Sequence, residues 1–354
     1  MACSLRYLIS MPPEFKPVEI ESPKHILVIL MARYGDILAA TPALRALKQH
    51  YPKACVTVLS HHERGRVLEG LPFIDRLIRT GKFRLKWLQY WPFPRYDLGV
   101  VFGNNLQELR LARKHCQFVV SEAVADISQS GLVDIQVSPS EMPLHIVTDR
   151  MRLVSAFGVK PAGMRCAYEV LEGEQQQAER WLKSNSAENG SPLLGIQLSS
   201  FPTKSYRDWP LSHWYGLIEQ VFSAYPNGRV VLLGGRESVD KARDVVTHFH
   251  GDSRILSAVA CFSFRQNAAL ISMLDLYVGP DTGPTHLRGA LALPMVALYH
   301  HFPSRLRPLE HPSLIVIAHP DAENGGEHDM SQIDVETVWQ GCKALLESTA
   351  RSTD

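Results

Sequence analysis

The chain has 354 residues, of which 45% are hydrophobic and 21% are charged, and its formal net charge is +1. This length and composition favour a soluble globular protein of two domains over one of a single domain. A nucleic-acid-binding protein would usually be more basic, so the charge argues against that class. Residues 1–24 lack the apolar core of a secretion signal, and no later run approaches the ~20 residues that a membrane helix needs. We therefore expect a cytoplasmic protein whose membrane contact is at most peripheral.

The charge is divided unevenly along the chain. The first 160 residues contain 21 Lys and Arg against 14 Asp and Glu, whereas the remainder contains 16 against 22, which gives +7 and −6. A basic half suggests an anionic partner such as a phosphorylated lipid or a membrane surface, although scattered solvated cations give the same total. The six cysteines lie far apart without a C-x-x-C pair, so we interpret them as reduced packing residues.

The N-terminal half begins with a strand after an irregular stretch. Residues 1–24 contain several prolines and are predicted to be irregular. The apolar run His25–Leu30 predicts a strand of a parallel sheet, and Thr41-Pro42 predicts the start of the next helix. Asp36 then falls on the loop between them, at the sheet edge where open α/β proteins bind ligands. It is a candidate general base or, alternatively, the cap of a short helix.

A basic and aromatic segment, Arg76–Arg95, interrupts the alternation of strands and helices. It includes Arg84, Lys86 and Trp87, and it suits a lipid–water interface or an anionic lipid acceptor. A surface helix whose aromatic side chains face the core is the alternative. Around it we predict strands at 56–59, 74–78, 98–102 and 119–120, helices at 63–69 and 143–157, and a long loop at 127–142.

The second half repeats the rhythm of strand and helix beyond a boundary that we place near residue 160. The predicted fold is α/β, with two Rossmann-like doubly wound domains, residues 25–160 and 161–330, facing a central cleft. The last helix, within residues 331–354, is expected to pack back across the hinge. Predicted strands are 193–198, 229–233, 254–256, 276–279, 295–299 and 314–317, and predicted helices are 173–185, 211–225, 238–249 and 335–347.

The most informative stretch is Tyr277–Leu293, YVGPDTGPTHLRGALAL, which predicts a strand, a tight turn and a helix. A helix that starts at such a turn directs unpaired N–H groups and its positive dipole end towards a ligand, as in phosphate sites. Thr282 is a candidate cap, and Gly283 permits close approach. Asp281 would repel a phosphate, so it suggests sugar hydroxyls as partners. An ordinary capped turn without a ligand is the alternative.

Two further loops at the same sheet edge carry charged residues. Lys204 and Arg207 are suited to neutralise a pyrophosphate, Arg207 in bidentate fashion, and Glu237 is suited to accept hydrogen bonds from a ribose diol. His286, one turn into the helix, either donates to a phosphate or packs there. Each of these residues also has an ordinary solvated or packing role. Their convergence predicts a site for a nucleotide diphosphate that carries a sugar.

Several catalytic motifs are absent from the sequence. No G-x-G-x-x-G follows the first strand, and no G-x-x-x-x-G-K-[ST] or G-x-S-x-G occurs, which argues against dinucleotide reductases, P-loop NTPases and elbow-type hydrolases. There is also no D-x-D metal motif. Stabilisation of a leaving group would then come from Lys204, Arg207 and the helix dipole.

Four segments together resemble the heptosyltransferases of glycosyltransferase family 9: ILVILMARYGDILAATPALRAL, RDWP, LLGGRES and YVGPDTGPTHLRGALALP. Their order and spacing agree with that family from about Ile26 to the final helix. The resemblance implies a GT-B enzyme that is inverting and metal-independent, with no cofactor expected. It implies transfer of a heptose from an ADP-sugar to the inner core of lipopolysaccharide, at the cytoplasmic face of the inner membrane.

The resemblance also implies roles for individual residues. Asp36 matches the family's proposed base, Glu237 matches the ribose-binding acid, and Arg207 stands where many members have a lysine. In the D-T-G-x-x-H motif the helix would hold the pyrophosphate while the acid contacts the transferred sugar. The residues that match this motif are Asp281, Thr282, Gly283 and His286.

Three features depart from the family pattern. The N-terminal extension before Lys24 is longer than expected, and the region between residues 80 and 160, which should choose the acceptor, carries no assignable motif. After Tyr299 the chain reads HHFPSRLRPLEHP where many members have a Gly-Pro-Thr turn. Two alternatives to heptosyl transfer stay open from the sequence: a related transferase with another donor or acceptor, and a catalytically silent scaffold that binds a nucleotide sugar.

Overall fold

A computed structural model describes residues 20–81, 84, 87–88, 90, 94–124, 131–187, 190–301, 303–324 and 329–350. These residues form two six-stranded sheets, one in each half of the chain, and all the strand pairings are parallel. Helices flank both sheets. The predicted fold class, two doubly wound α/β halves, is therefore confirmed.

The first sheet has the strand order β3-β2-β1-β4-β5-β6. The order reverses between β1 and β4, and this switch point opens a crevice at the carboxyl end of β1, where α1 begins. Its strands are β1 (His25–Leu30), β2 (Cys55–His61), β3 (Arg76–Thr80), β4 (Tyr96–Val101), β5 (Cys116–Glu122) and β6 (Ile135–Val137), and its helices are α1 (Tyr34–His50), α2 (Leu106–His115) and α3 (Ile146–Ser155).

The second sheet has the order β12-β11-β10-β7-β8-β9, so its switch point lies between β7 and β10. Helix α4 (Glu172–Ser184) precedes it. Its strands are β7 (Leu193–Gln197), β8 (Arg229–Leu233), β9 (Ile255–Ser257), β10 (Leu276–Pro280), β11 (Met295–Tyr299) and β12 (Leu314–Ala318), and its helices are α5 (Leu211–Ala224), α6 (Val239–His248), α7 (Phe264–Ser272), α8 (Gly283–Leu291) and α9 (Val335–Ala350).

Helix α1 begins seven residues earlier than the sequence predicted, at Tyr34 instead of Thr41, so Asp36 lies in its first turn and not on a loop. The proline pattern misled the prediction. Pro42 has no N–H for the carbonyl of Leu38, but the Thr41 hydroxyl donates to that oxygen at 2.6 Å and replaces the lost bond. The same hydroxyl accepts a hydrogen bond from the Ala167 N–H at 2.8 Å.

Three short elements were missed or misplaced. Helices α2 and α7 were not predicted, and β6 lies within the segment that was predicted to be a long loop. Helix α9 also departs from expectation, because it packs on α5, β10 and β11 in the second half instead of crossing to the first. Its buried residues Val338, Trp339 and Cys342 belong to the core of the second sheet.

Arg265, on α7, joins the two halves. Its side chain is 2% exposed and its Nε lies 2.5 Å from a carboxylate oxygen of Glu174, which is 13% exposed. It also donates to the backbone carbonyls of Arg66, in the first half, at 2.6 Å and Glu169, in the connecting segment, at 2.9 Å. Burial of this charge is tolerated because Glu174 and the two backbone carbonyls accept hydrogen bonds from it.

Among the helices of the described ranges, none has the length and apolar character to cross a membrane.

We expect Arg265→Met to lower the free energy of unfolding by ~3–5 kcal/mol, because Glu174 and two carbonyls lose their donor in a buried setting. Urea denaturation would measure the loss. Arg243→Met is the matched control, since Arg243 forms an exposed pair with Asp240 and its loss should cost less than about 0.5 kcal/mol. Equal losses in the two variants would contradict the assignment of Arg265 as the junction.

Candidate functional site

A cleft of about 820 Å³ lies between the two sheets and is lined by residues of both halves. It forms where the carboxyl ends of β1, β7, β8 and β10 face one another, as expected for doubly wound sheets. The structure brings together in this cleft all eight residues that the sequence singled out for catalysis and donor binding: Asp36, Lys204, Arg207, Glu237, Asp281, Thr282, Gly283 and His286.

Helix α8 starts at the cleft, but Thr282 does not cap it in the predicted way. Its side chain makes no cap hydrogen bond; the hydroxyl donates instead to the Pro280 carbonyl at 3.3 Å and lies 3.3 Å from the Thr285 hydroxyl. The first turn is thus left without a side-chain cap, and because Pro284 has no N–H, the N–H groups of Gly283 and Thr285 are the ones available to an anion. A β-carbon on Gly283 would lie 3.4 Å from the Phe264 ring, an ordinary van der Waals contact, so crowding by the protein does not require glycine there.

The carboxylate of Asp281 is buried between the side chains of Arg207 and His286. Its Oδ2 accepts a hydrogen bond from Arg207 Nη1 at 2.9 Å, and its Oδ1 lies 3.1 Å from His286 Nε2. Burial opposes ionisation, but His286 and then Arg207 outweigh it and hold the pKa of Asp281 below its usual value. Asp281 therefore has Arg207 and His286 as protein partners, and its contact with sugar hydroxyls stays a prediction. Arg207 uses Nη1 to bind this acid, and its bidentate contact with a pyrophosphate stays a prediction as well.

His286 connects the second half to the start of α1. While its Nε2 faces Asp281, its ring carbon Cδ2 would lie 3.6 Å from a β-carbon placed on Gly35, the neighbour of Asp36. Helix α1 packs along α8. The two halves are therefore in contact beside Asp36.

Asp36 is held by a residue that the sequence did not single out. Arg150, on α3, places Nη2 3.8 Å from Asp36 Oδ1 and forms a short ion pair with Glu122 through Nη1. The Asp36 side chain is 35% exposed and opens into the cleft, whereas that of Arg150 is 16% exposed. One guanidinium thus links two carboxylates at the edge of the first sheet.

Lys204 and Glu237 remain open to a ligand. Lys204 lies in the 3₁₀ segment Pro202–Arg207, and no carboxylate of the described ranges lies within ion-pairing distance of its amine. Glu237 is exposed, and its Oε1 accepts a hydrogen bond from the Gly235 N–H at 2.8 Å. A β-carbon on Gly235 would lie 2.5 Å from the other carboxylate oxygen, so a larger residue there would displace the Glu237 side chain from this position.

None of the described residues of the basic and aromatic segment lines the cleft. Arg84 is exposed, and the Trp87 and Tyr90 side chains are 74% and 70% exposed, so these two aromatic residues do not face the core. The ammonium of Lys114 lies 5.2 Å from the centre of the Tyr90 ring. Lys86 lies outside the described residues, as do residues 1–19 of the predicted N-terminal extension.

Four residues of the cleft were missed by the sequence analysis: Arg33, Arg64, His145 and Arg307. Arg33 lies within the segment that begins at Ile26 but was given no role, and the other three lie outside the four segments that resemble the family. Arg33 and Arg64 follow β1 and β2, so their position after strands was the one available signal. His145 and Arg307 are far apart in the sequence and come into contact only in the folded chain.

Two adjacent histidines lie beside the Lys204 loop. The Nδ1 atoms of His300 and His301 are 3.1 Å apart, and the Tyr206 ring meets His300 edge-on. If both rings were protonated, two N–H groups would face each other, so this contact requires a neutral ring. Burial, followed by His301 and Arg207, lowers the pKa of His300 to about 4.

This depressed pKa predicts a loss of stability in acid. A histidine that is neutral in the folded state and titrates near 6.5 when unfolded contributes fully above pH ~6.5, and its contribution falls as the pH drops towards about 4. We expect His300→Gln, which cannot take up the proton, to flatten the fall in unfolding free energy between pH 6.5 and 4.5. Replacing the exposed His50 by Gln is the control. An unchanged slope in His300→Gln would refute the prediction.

Comparison with known proteins relates the chain to one family. The sequence profile of glycosyltransferase family 9 (heptosyltransferase) matches residues 119–331. The lipopolysaccharide core heptosyltransferase OpsX of Haemophilus influenzae is 20% identical over 334 residues, which cover 91% of this chain and 92% of that protein.

Solved structures share the same fold. A family 9 glycosyltransferase from Veillonella parvula superposes with a TM-score of 0.81 at 20% identity, covering 94% of this chain and 99% of that chain. The ADP-heptose lipopolysaccharide heptosyltransferase II of E. coli gives 0.75 at 21% identity, covering 92% and 99%. The E. coli heptosyltransferase WaaC with ADP gives 0.70 at 17% identity, covering 91% and 99%. At these identities the likeness shows the GT-B fold.

Proposed function

This chain belongs to glycosyltransferase family 9 (heptosyltransferase), and we propose that it is an inverting enzyme that transfers a heptose from ADP-heptose to the inner core of lipopolysaccharide. The observation that carries the proposal is the shared cleft. A carboxylate from the first half, Asp36, and the uncapped start of α8 from the second half open into the same space. His286, which approaches Gly35, keeps the two parts adjacent.

The proposed reaction is a single displacement at the anomeric carbon of the donor sugar. The carboxylate of Asp36 takes the proton of an acceptor hydroxyl, whose oxygen attacks the anomeric carbon from the face opposite the diphosphate. The bond between that carbon and the diphosphate oxygen breaks as the new one forms, so the configuration inverts and ADP leaves. The proton remains on Asp36 until solvent removes it.

The second half is proposed to hold the donor. The start of α8 and the unpaired amine of Lys204 stabilise the negative charge that develops on the leaving diphosphate, and the remaining donors of Arg207 add to it. Asp281 is proposed to position Arg207 and His286, a role supported by its contacts with both side chains. Glu237 accepts hydrogen bonds from the ribose hydroxyls. ADP as the nucleotide is supported by WaaC, a relative whose solved structure contains it.

The division of labour between the halves follows from this assignment. We propose residues 25–160 as the acceptor domain and residues 161–330 as the donor domain. The exposed Trp87 and Tyr90, together with Arg84, form a surface suited to an anionic lipid headgroup layer, which would bring the enzyme to the inner face of the inner membrane.

Replacing the proposed base should abolish transfer but not donor binding. We expect Asp36→Asn to lower the rate of heptose transfer to truncated lipopolysaccharide by about 10²–10⁴-fold, because the amide cannot accept the proton. The dissociation constant for ADP should change less than about threefold, since Asp36 lies on the other half of the cleft. Mass spectrometry of the product and calorimetric titration with ADP measure the two quantities. Asp240→Asn, an exposed carboxylate on α6, is the control.

The outcomes separate the remaining alternatives. Transfer from a UDP- or GDP-sugar but not from ADP-heptose would identify a related transferase with another donor. Nucleotide-sugar binding without transfer by the unmodified enzyme would favour a silent scaffold. Full activity in Asp36→Asn would eliminate Asp36 as the base.

The proposed lipid contact predicts a charge-dependent association with vesicles. Each cation near an anionic membrane contributes about 1 kcal/mol, so Arg84→Glu with Lys86→Glu should reduce partitioning onto phosphatidylserine-containing liposomes at least about tenfold at low salt. Arg180→Glu with Lys183→Glu reverses the same number of charges on the exposed face of α4 and serves as the control. Equal sedimentation of both double variants with the liposomes would remove the lipid contact from the proposal.

A further inference from the structure

We propose that Arg307 is a substrate-binding residue that contacts an anionic group in the cleft, a phosphate or a carboxylate, from the loop after β11. The inference deepens the proposed function and rests on it. Arg307 lines the cleft, and the loop that carries it reaches from the second half to the first. The residue belongs to none of the motifs that define the rest of the site.

The loop that carries Arg307 packs closely against helix α8. Pro308 packs on Gly289 of α8 so closely that a β-carbon on Gly289 would lie 2.5 Å from the ring carbon Cγ. Only glycine at this position of the helix permits the approach. Leu306 and Leu309, on either side, pack against the main hydrophobic core. The backbone at Arg307 is therefore held against the helix whose start faces the ligand.

The same loop is also anchored to the first half. The Arg307 carbonyl accepts a hydrogen bond from His145 Nε2 at 2.8 Å, and His145 Nδ1 accepts one from the Val147 N–H at 3.1 Å. With one ring nitrogen donating and the other accepting, His145 is neutral and does not repel the guanidinium. Glu310 adds a second anchor by accepting a hydrogen bond from the Met164 N–H at 2.8 Å.

The guanidinium of Arg307 is not paired with a carboxylate in the part of the chain that the structure describes. Within the described ranges no carboxylate lies within 4.0 Å of it, in contrast to Arg207, which is paired with Asp281 in the same cleft. The side chain is exposed towards the cleft while its backbone is held from both sides. A planar cation with five donors at a fixed point matches the oxygens of a phosphate or carboxylate.

Two substrates can supply this anion: the diphosphate of the donor, and a phosphate or carboxylate on the acceptor saccharide. Arg307 lies at the seam between the halves, so the fold permits either source. The chemistry of recognition is the same in both cases. If the donor supplies the anion, the affinity for ADP depends on Arg307. If the acceptor supplies it, the KM for the acceptor depends on Arg307.

The test compares Arg307→Gln with Arg307→Lys and the unmodified full-length enzyme. Calorimetric titrations with ADP and with inorganic pyrophosphate measure the donor arm, and the KM for truncated lipopolysaccharide measures the acceptor arm. We expect Arg307→Gln to weaken one of the two by about tenfold, and Arg307→Lys to restore part of it because the charge is kept. Arg243→Gln, which removes an exposed cation of α6, controls for the change in net charge.

Weaker binding of ADP and pyrophosphate would assign the anion to the donor, and a raised KM with unchanged ADP affinity would assign it to the acceptor. Arg307→Gln values equal to those of Arg243→Gln in both arms would overturn the inference. Failure of the proposed function gives a different result, because the unmodified enzyme would then transfer no heptose, while the pyrophosphate titration would still report on Arg307. Thermal unfolding of the variants shows whether the fold is retained.

Discussion

The site depends on the burial of the Asp281 carboxylate between Arg207 and His286. Removing a carboxylate from water costs several kcal/mol unless cations and hydrogen-bond donors replace the solvent, so this acid fixes both partners. Arg207 brings the loop after β7 to the start of α8, and His286 extends from α8 to Gly35 of the first half. This cluster thus positions the loop that carries Lys204, the start of α8 and the helix that bears Asp36.

The remaining charges of the cleft are arranged around this cluster. Lys204, Arg33, Arg64 and Arg307 line the space without a carboxylate partner in the described part of the chain, whereas Arg150 is taken up by Asp36 and Glu122. The cations that are paired with carboxylates stabilise the fold, and the unpaired ones create a positive electrostatic potential that attracts an anionic ligand. This separation fits an enzyme of family 9 that must hold a diphosphate and release it.

The sequence was sufficient for the features that local patterns encode. Uninterrupted apolar runs predicted most strands, and the glycine-containing turn before α8 predicted a helix start that lies at the cleft, because both features follow from neighbouring residues. The early start of α1 could not be predicted from the sequence, since it depends on the Thr41 hydroxyl replacing the helical hydrogen bond that Pro42 cannot donate. The partners of Asp281 and the positions of Arg150 and Arg307 were also hidden. Those contacts join residues that are far apart along the chain, and the periodicity of the sequence predicts only local structure.

The double use of the Thr41 hydroxyl has a mechanical consequence for the enzyme. By bonding Leu38 within α1 and Ala167 in the segment that leads to the second half, it fastens the two, and Arg45 adds hydrogen bonds to the carbonyls of Ala162 and Gly163. Helix α1 and residues 162–167 are therefore expected to move together as a rigid unit. A rotation of the second half relative to the first could hinge beyond Ala167 only after the hydrogen bond from the Met164 N–H to Glu310 opens, and it would leave Asp36 with the first sheet.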